Sequence, residues 1–397
     1  MSEYLFPTGE ILETATPEFQ GALADAYGDT SNRVRCLCKT GGLPMYIAKR
    51  GELYILKRMP NTAEEHAAGC DSYEPPAALS GRSEVLGGAI KHDDESGRDK
   101  LRFDFSLSRS QRPQMSDSAQ ASGDSVRAEP NKLSFLGLVH YLWDQSGLVR
   151  WKPFGAVIRW EQVRERVLRA ASGAEAKSRG LSDILYMPEQ FDKDRHDAQE
   201  ARRIGFFKRF EQKASSGYLL CIGELKEFSE SRGAHKLTIK HAPGVAFLMD
   251  KVTAGRFGRR FKAEMASWAA DEKTRLIAAM TCAIEGGIAH VVEITLMPVT
   301  HDWIPFDGAM EKQLLDVLMR QEREFIKSLR YNLAAGSPVA SAILTDAGEQ
   351  GVALFLPPEE PEARIAWAER IEGYSGPTWE WLGGDMPALP MRASEAE

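Results

Sequence analysis

RCLCKTGGLPMYIAKRGELYILKRMPNTAEEHAAGC, residues Arg35 to Cys70, holds three of the chain's five cysteines and one of its eight histidines. The pattern is Cys36-x-Cys38, then 27 residues, then His66-x3-Cys70. Two short alternating runs, MYIAK and LYILK, flank Arg50-Gly51-Glu52 and read as a β-hairpin. Asn61 or Thr62 caps a short helix, AEEHAAGC, and Glu65 completes a capping box with Thr62. On a helix, residues four apart share a face, so His66 and Cys70 would point together. The hairpin then folds one ligand pair onto the other. Three thiolates and an imidazole form a closed tetrahedral shell for Zn²⁺, structural because no position is left for water. Buried free cysteines, an iron–sulfur cluster and a redox pair fit this spacing less well.

A module this small lacks a self-sufficient core, so the metal would contribute to its folding. The expected fold is α+β or α/β in several parts. A zinc-stapled ββα module spans residues 1–73, with a helix over TPEFQGALADAYG ending at Gly28. Residues 74–132 form a linker, disordered over SRSQRPQMSDSAQASGDSVRAEPN, with a hairpin turning at Ser96-Gly97. A basic, helix-rich domain with strands spans 133–280, an α/β unit 281–372, and a tail 373–397.

Within that body, LSFLGLVHYLWDQSGL and WEQVRERVLRAASG read as helices, as does HDAQEARRIGFFKRFEQ. GYLLCIGELKEF and HKLTIKH read as strands. FKAEMASWAADEKTRLIAAMTCAI reads as helical, and GAMEKQLLDVLMRQEREFIKSLRY as one long helix with Leu314, Leu318, Phe325 and Leu329 as its buried stripe.

At 43% hydrophobic and 27% charged, the composition is that of a globular protein. MSEYLFPTGE lacks a basic region followed by an apolar run, and no stretch nears about 18 consecutive apolar residues, so a cytoplasmic address and no membrane contact are expected. A net charge of −7 argues against a surface coated for non-specific nucleic-acid binding. Basic tracts are local. Arg150 to Lys213 carries 15 Lys+Arg against 10 Asp+Glu, an excess of five, and KVTAGRFGRRFK carries five cations and no acid. Candidate phosphate contacts are Lys49, Arg50, Lys57 and Arg58 on the hairpin, and Arg159, Arg166 and Arg169 beside Trp160. Arg256, Arg259 and Arg260 complete the set, where glycines permit close approach and Phe side chains suit base stacking. Each tract is equally a solvated face or loop. The two helices around Arg150 also fit a helix-turn-helix arrangement.

Catalytic motifs are sparse. Glu224-Leu-Lys226 on a strand is half of a restriction-nuclease-like signature, in which the acid holds Mg²⁺. Its partner acid would be Asp183, about 40 residues upstream, a spacing that does not fit. Around Ala289 to Pro357 the outline resembles a nuclease-type core, with Glu311 near a helix start. Yet SPVASAILTD and VALFLPP supply only Asp346 where catalytic acids belong, so that core is degenerate. No phosphate loop, dinucleotide fingerprint, nucleophile elbow or His-Glu-x-x-His motif occurs.

Cys36-Leu-Cys38, His66 and Cys70, with GLVHYLW, RWKPF, ILYMPEQF, GELKEF, IKH, WIPFDGAMEKQLLDVL, FIKSLRYNL and AILTD, resemble a family of uncharacterised bacterial proteins. Its members have three N-terminal cysteines and are often encoded on plasmids and integrative conjugative elements. The resemblance implies DNA mobility, host–element conflict or plasmid upkeep. The expected function is therefore a zinc-containing, nucleic-acid-associated accessory protein of a mobile element, without catalysis. The alternatives are a Mg²⁺-dependent nuclease using Glu224 and Lys226, and an adaptor that docks on conjugation or replication proteins of the element or host.

Overall fold

The computed structural model describes residues 3–395 apart from 61, 94–95, 109–130, 154, 156, 212–216, 232–233, 243, 334–336, 338 and 359–360. The Ser/Gln/Asp-rich tract expected to be disordered lies outside the described residues for most of its length, as does Asn61.

The chain opens with β1 (Glu3–Leu5), β2 (Ile11–Glu13), α1 (Phe19–Asp25), β3 (Arg35–Cys36), β4 (Leu43–Arg50) and β5 (Leu53–Arg58). They make one five-stranded sheet in the order β2-β1-β3-β4-β5. The β4–β5 hairpin turns at Gly51, whose φ of 61° is open to glycine at no steric cost. Further on come β6 (Ile90–Asp93) and β7 (Arg98–Leu101), the hairpin expected around Gly97, then α2 (Phe135–Gln145), β8 (Arg150–Trp151), α3 (Trp160–Ser172), β9 (Ala174–Ala176) and β10 (Arg179–Gly180). β9 joins the hairpin by pairing parallel to β7, so the stretch set apart as a linker shares a sheet with residues from beyond α3.

Next are β11 (Leu185–Tyr186), α4 (His196–Glu211), β12 (Leu219–Ser231), β13 (Ala234–Ile239), β14 (Phe247–Met249), α5 (Lys251–Arg260), α6 (Lys262–Ala270), β15 (Arg275–Glu285) and β16 (Ile288–Val299). β12 changes partner along its length. Leu219–Glu224 pair with β15, and Leu225–Ser231 pair with β13, with a bulge after Leu225. β13 pairs antiparallel with β14, β14 parallel with β16, and β16 antiparallel with β15. The strands therefore close on themselves as β12-β13-β14-β16-β15-β12. A five-stranded Greek-key barrel with its third and fifth strands parallel, and helices between its third and fourth, has the connectivity of an OB-fold. Inside it, Gly223 is obligatory, because a Cβ there would lie 2.2 Å from Ile239 Cγ2.

The run RLIAAMTCAI, expected as helix, is β15 instead. It lies between β12 and β16, and Leu276 to Cys282 are buried on both faces. A strand covered on both sides has no alternation, so its periodicity does not separate it from a buried helix. The expected boundary at 280/281 falls within it.

The chain ends with α7 (Ala309–Arg320), β17 (Phe325–Lys327), β18 (Ala342–Leu344), β19 (Val352–Phe355), α8 (Pro361–Glu372) and β20 (Thr378–Glu380). β17, β18 and β19 run antiparallel, β20 pairs parallel with β19, and β8 flanks β17. One sheet face, with Ala342, Leu344, Val352 and Leu354, packs on Leu314, Leu315 and Leu318 of α7. The other, with Ile343, Ala353 and Phe355, packs on Trp367 and Ile371 of α8. The expected outline here was strand, long helix, strand, strand; the strand expected first is β16 of the barrel, the end of the expected helix is β17, and β20 lies in the expected tail. Residues after 372, expected as a tail, supply β20 and the buried Trp379 and Trp381.

The long helix expected to run through Phe325 stops at Arg320. Glu322 adopts a left-handed conformation, φ 55°. The Arg323 amide donates to Leu318 O and the Glu322 amide to Met319 O, at 2.9 and 3.1 Å. This is a Schellman termination without the usual glycine, which is why the sequence did not signal it. Among the described residues no helix is long and apolar enough to cross a membrane. Three tryptophans tie the barrel to α2 and α3: Trp143 Nε1 donates to Trp303 O (3.1 Å), Trp303 Nε1 to Ile158 O (2.8 Å) and Trp160 Nε1 to Pro188 O (2.8 Å).

Replacing Glu322 with glycine removes the left-handed penalty at the end of α7. We expect Glu322→Gly to raise unfolding free energy by up to about 1 kcal/mol in a urea titration. A loss of stability would show that the Glu322 side chain matters more than its backbone.

Candidate metal centre and basic surfaces

Cys36 ends β3, whose partner β4 runs antiparallel to it, and Cys38 follows in the turn. The second pair does not lie on a helix. Only Ala63–Glu65 form a 3-10 turn, and His66 is extended at φ −66°, ψ 154°. The Cys70 amide then donates to Ala67 O at 2.8 Å, closing a tight turn. The capping box is also absent: the Thr62 hydroxyl donates to Met59 O, 2.8 Å away. Four-residue spacing still brings the two ligands together, through a turn and not a helical face.

The four ligand atoms lie within 4.8 Å of one another. Cys36 Sγ is 3.6 Å from Cys70 Sγ, and His66 Nδ1 is 3.3 Å from Cys38 Sγ and 3.7 Å from Cys70 Sγ. An ion with about 2.3 Å bonds to sulfur and 2.0–2.1 Å to nitrogen has tetrahedral edges of about 3.6–3.8 Å; the Cys36–Cys70 and His66–Cys70 separations fall there, and His66–Cys38 is shorter. Cys36, His66 and Cys70 are buried, and Cys38 is half-buried. Cys70 is held well below the usual thiol range, to about 4, chiefly because Cys36 donates to its sulfur; the Ser72 amide also lowers it. The same hydrogen bond pushes Cys36 up, and burial pushes Cys38 up. The donor set fits a metal ion with a filled first shell.

The loop after His66 docks on the β18–β19 turn. The Ala68 amide donates to Glu349 O (3.1 Å) and the Tyr73 hydroxyl to Gln350 O (3.2 Å). Arg150 donates to Tyr73 O, and Lys152 pairs with Asp71 at 2.9 Å. The loop that carries His66 and Cys70 thus contacts the C-terminal unit.

Glu224 and Lys226 sit in different environments. Glu224 is 2% exposed, and its carboxylate binds Lys240 (2.6 Å) and Arg275 (3.3 Å), while Lys226 is exposed. The Arg275 guanidinium also lies 4.4 Å over the Trp303 ring. No metal-capable group of three or more His, Cys, Asp or Glu includes Glu224 among the described residues. In the nuclease-type unit, Glu311 is engaged by Lys327 (3.0 Å) and by the Asp307 amide (2.7 Å). Asp346 takes a bidentate pair from Arg323 at 2.8 and 2.9 Å. Both acids are structural, and β18 and β19 supply only apolar side chains.

The basic candidates sit on three separate elements. On the hairpin, Lys49 lies 5.3 Å over the Tyr54 ring, Lys57 is exposed, and Arg58 is taken by Glu74 at 2.5 Å. The Arg50 side chain lies outside the described residues. On α3, Arg159 is exposed, Arg166 is half-buried, and Arg169 pairs with Glu165 at 2.6 Å. Trp160 points inward, 4% exposed and stacked on His241, so it is no stacking platform. The segment from Ser146 to Arg159 between α2 and α3 contains β8, which a helix-turn-helix does not have. Arg256, Arg259 and Arg260 are exposed on α5, but Phe257 and Phe261 are buried in the core and unavailable to bases.

Two outcomes follow. Chelating the metal, or Cys38→Ser, should undock the 66–73 loop and lower Tm; a chelator-treated protein of unchanged Tm would refute a structural metal here. Glu224→Ala removes the carboxylate shared by Lys240 and Arg275 and should lower stability in a denaturant titration by about 1 kcal/mol, since both cations reach solvent and hydrate once unpaired.

No curated protein and no solved structure matches the chain. A family model does match, over residues 8–383, and it is described as a protein of unknown function, DUF1173. With nearly its whole length covered and its cysteine–histidine cluster assembled, the chain belongs to this DUF1173 family.

Proposed function

We propose that the chain is a zinc-containing, nucleic-acid-associated accessory protein of a mobile genetic element, acting in the cytoplasm without catalysis. The observation that carries this reading is the combination of two architectures. One is a closed barrel with OB connectivity, an arrangement that elsewhere binds oligonucleotides or oligosaccharides. The other is a C-terminal unit, read as a degenerate nuclease-like core, whose β18 and β19 carry no acid and in which Glu311 and Asp346 are engaged by Lys327 and Arg323. A barrel alone does not assign a ligand. Its outer row, Ser229, Lys236, Leu248 and His290, contains a Lys and a His but no aromatic platform. That favours backbone over base recognition. Zinc is the ion of choice because three sulfurs and one imidazole in a filled tetrahedron suit it best.

Purified protein should carry about one zinc per chain by elemental analysis. It should also retain single- or double-stranded DNA, or RNA, at low salt and release it as salt rises. Protein that binds none of the three at low ionic strength would sink the nucleic-acid reading. Mg²⁺-dependent cleavage lost in Glu224→Ala at unchanged fold would instead establish a nuclease.

A further inference from the structure

A cleft of about 480 Å³ opens between α7 and two turns at one end of the barrel, the turn before β15 and the turn after β16. Arg275 pairs with Val299 at that end, which sets the two turns side by side. Small-molecule sites have volumes of about 300–1,000 Å³, so a nucleotide-sized ligand fits here.

The walls are fixed. Asp271 accepts the Lys273 amide (3.0 Å) and the Thr274 hydroxyl (3.1 Å), and it also pairs with Lys312 of α7 (2.8 Å). The first turn is thereby tied to the helix. In the second turn the Trp303 amide donates to Thr300 O (3.0 Å), and the Arg275 guanidinium donates to His301 O (3.2 Å). Lys312, Asp316 and Met319 follow one another at four and three residues, so they lie along one face of α7, and Arg320 borders the same cleft.

The charges divide into engaged and open groups. Lys312 is shared between Asp271 and Asp316, the latter at 2.7 Å. Lys273 and Arg320 are exposed, and neither has an ion-pair partner among the described residues. Asp302 lies beside His301, with Nδ1 and Oδ1 3.7 Å apart. Half-buried Met319 adds an apolar, polarisable wall. An entering molecule therefore meets two cations, a carboxylate next to an imidazole, and a thioether. A phosphate monoester suits the two cations through charge-assisted hydrogen bonds. The N–H donors of a base suit Asp302, and its flat face suits Met319. A bare anion leaves Asp302 unmatched, and a neutral nucleoside leaves both cations unmatched.

We propose that this cleft binds a nucleotide by its terminal phosphate monoester, with Lys273 and Arg320 holding the phosphate and Asp302 accepting from the base. The same chemistry is offered by a free nucleotide and by the phosphorylated end of a strand. The proposal goes beyond the nucleic-acid reading above and does not depend on it.

The test is calorimetric titration of the full-length, zinc-loaded protein with AMP, GMP, CMP and UMP in turn. At least one should bind, and its nucleoside and inorganic phosphate should each bind about tenfold more weakly. A nucleoside or inorganic phosphate that binds as well as the monophosphate overturns the proposal. If no free monophosphate binds, short single strands with a 5′-phosphate are compared with the same strands ending in a 5′-hydroxyl. Preference for the phosphate assigns the cleft to strand ends and supports the proposal; no preference overturns it. The double variant Lys273→Gln/Arg320→Gln should keep its Tm and weaken binding about tenfold. Unchanged affinity overturns the proposal. Should that variant lose Tm, hydrogen exchange on wild-type protein saturated with ligand decides. Protection at residues 271–274, 300–303 and along α7 supports the cleft, and protection confined elsewhere overturns it. Protein that binds strands regardless of a terminal phosphate keeps the nucleic-acid reading and sinks this one. Protein that binds a monophosphate but no strand does the reverse.

Discussion

The barrel depends on one buried carboxylate. Glu224 is the last residue of β12 to pair with β15, and Leu225 is the first to pair with β13. At that exchange of partners the Glu224 carbonyl accepts the Lys240 amide at 2.8 Å, while its side chain gathers the Lys240 ammonium and the Arg275 guanidinium. Three chain segments are thus held to one side chain where the strand bends. Arg275 then carries the contact outward to the Trp303 ring, and Trp303 to Trp160 and Trp143. Two residues beside this network, His241 and Trp303, hold left-handed backbone at φ 65° and 68°. Such conformations persist only where surrounding packing over-determines them, and here the stacked rings and the ion pair do so.

The metal cluster has a parallel role at the N-terminus. It shapes a turn with no helix of its own and presents Ala68 and Tyr73 to the β18–β19 turn. Three thiols and an imidazole would fill the first shell of a bound ion. Glu74 extends the same junction by taking both Arg58 and Arg82, at 2.5 and 2.6 Å. One of the hairpin cations that could have met phosphate is thereby spent on holding the module in place.

In the C-terminal unit the acids are drawn into the packing. α7 and the sheet keep their packing on both faces, and Glu311 keeps its place near the start of the helix. Its carboxylate now neutralises Lys327, which is 3% exposed, so the pair is an internal brace. Nearby His140 is buried and accepts the Tyr331 amide at 2.9 Å, and burial pulls its pKa down to about 4. A neutral imidazole, a buried ion pair and apolar strands make a core, not an open cation site.

Local chemistry was legible in the sequence. The cysteine spacing marked the metal ligands, Gly51 and Gly97 marked hairpin turns, and Gly173 marked the end of α3. The paired runs that became β18 and β19 were also legible. What the sequence did not contain was anything that depends on both faces of an element being covered. β15 looked helical because burial on both sides erases alternation, and α7 looked longer because its stop is a Glu held left-handed by tertiary contacts. Closure of the barrel, the capture of Glu224 by Lys240 and Arg275, and the inward turn of Trp160 and Phe257 are set by partners far away in the chain. Spacing fixes which atoms can meet within one turn of chain. Which face of a strand or helix is dry is decided only when the other elements pack against it.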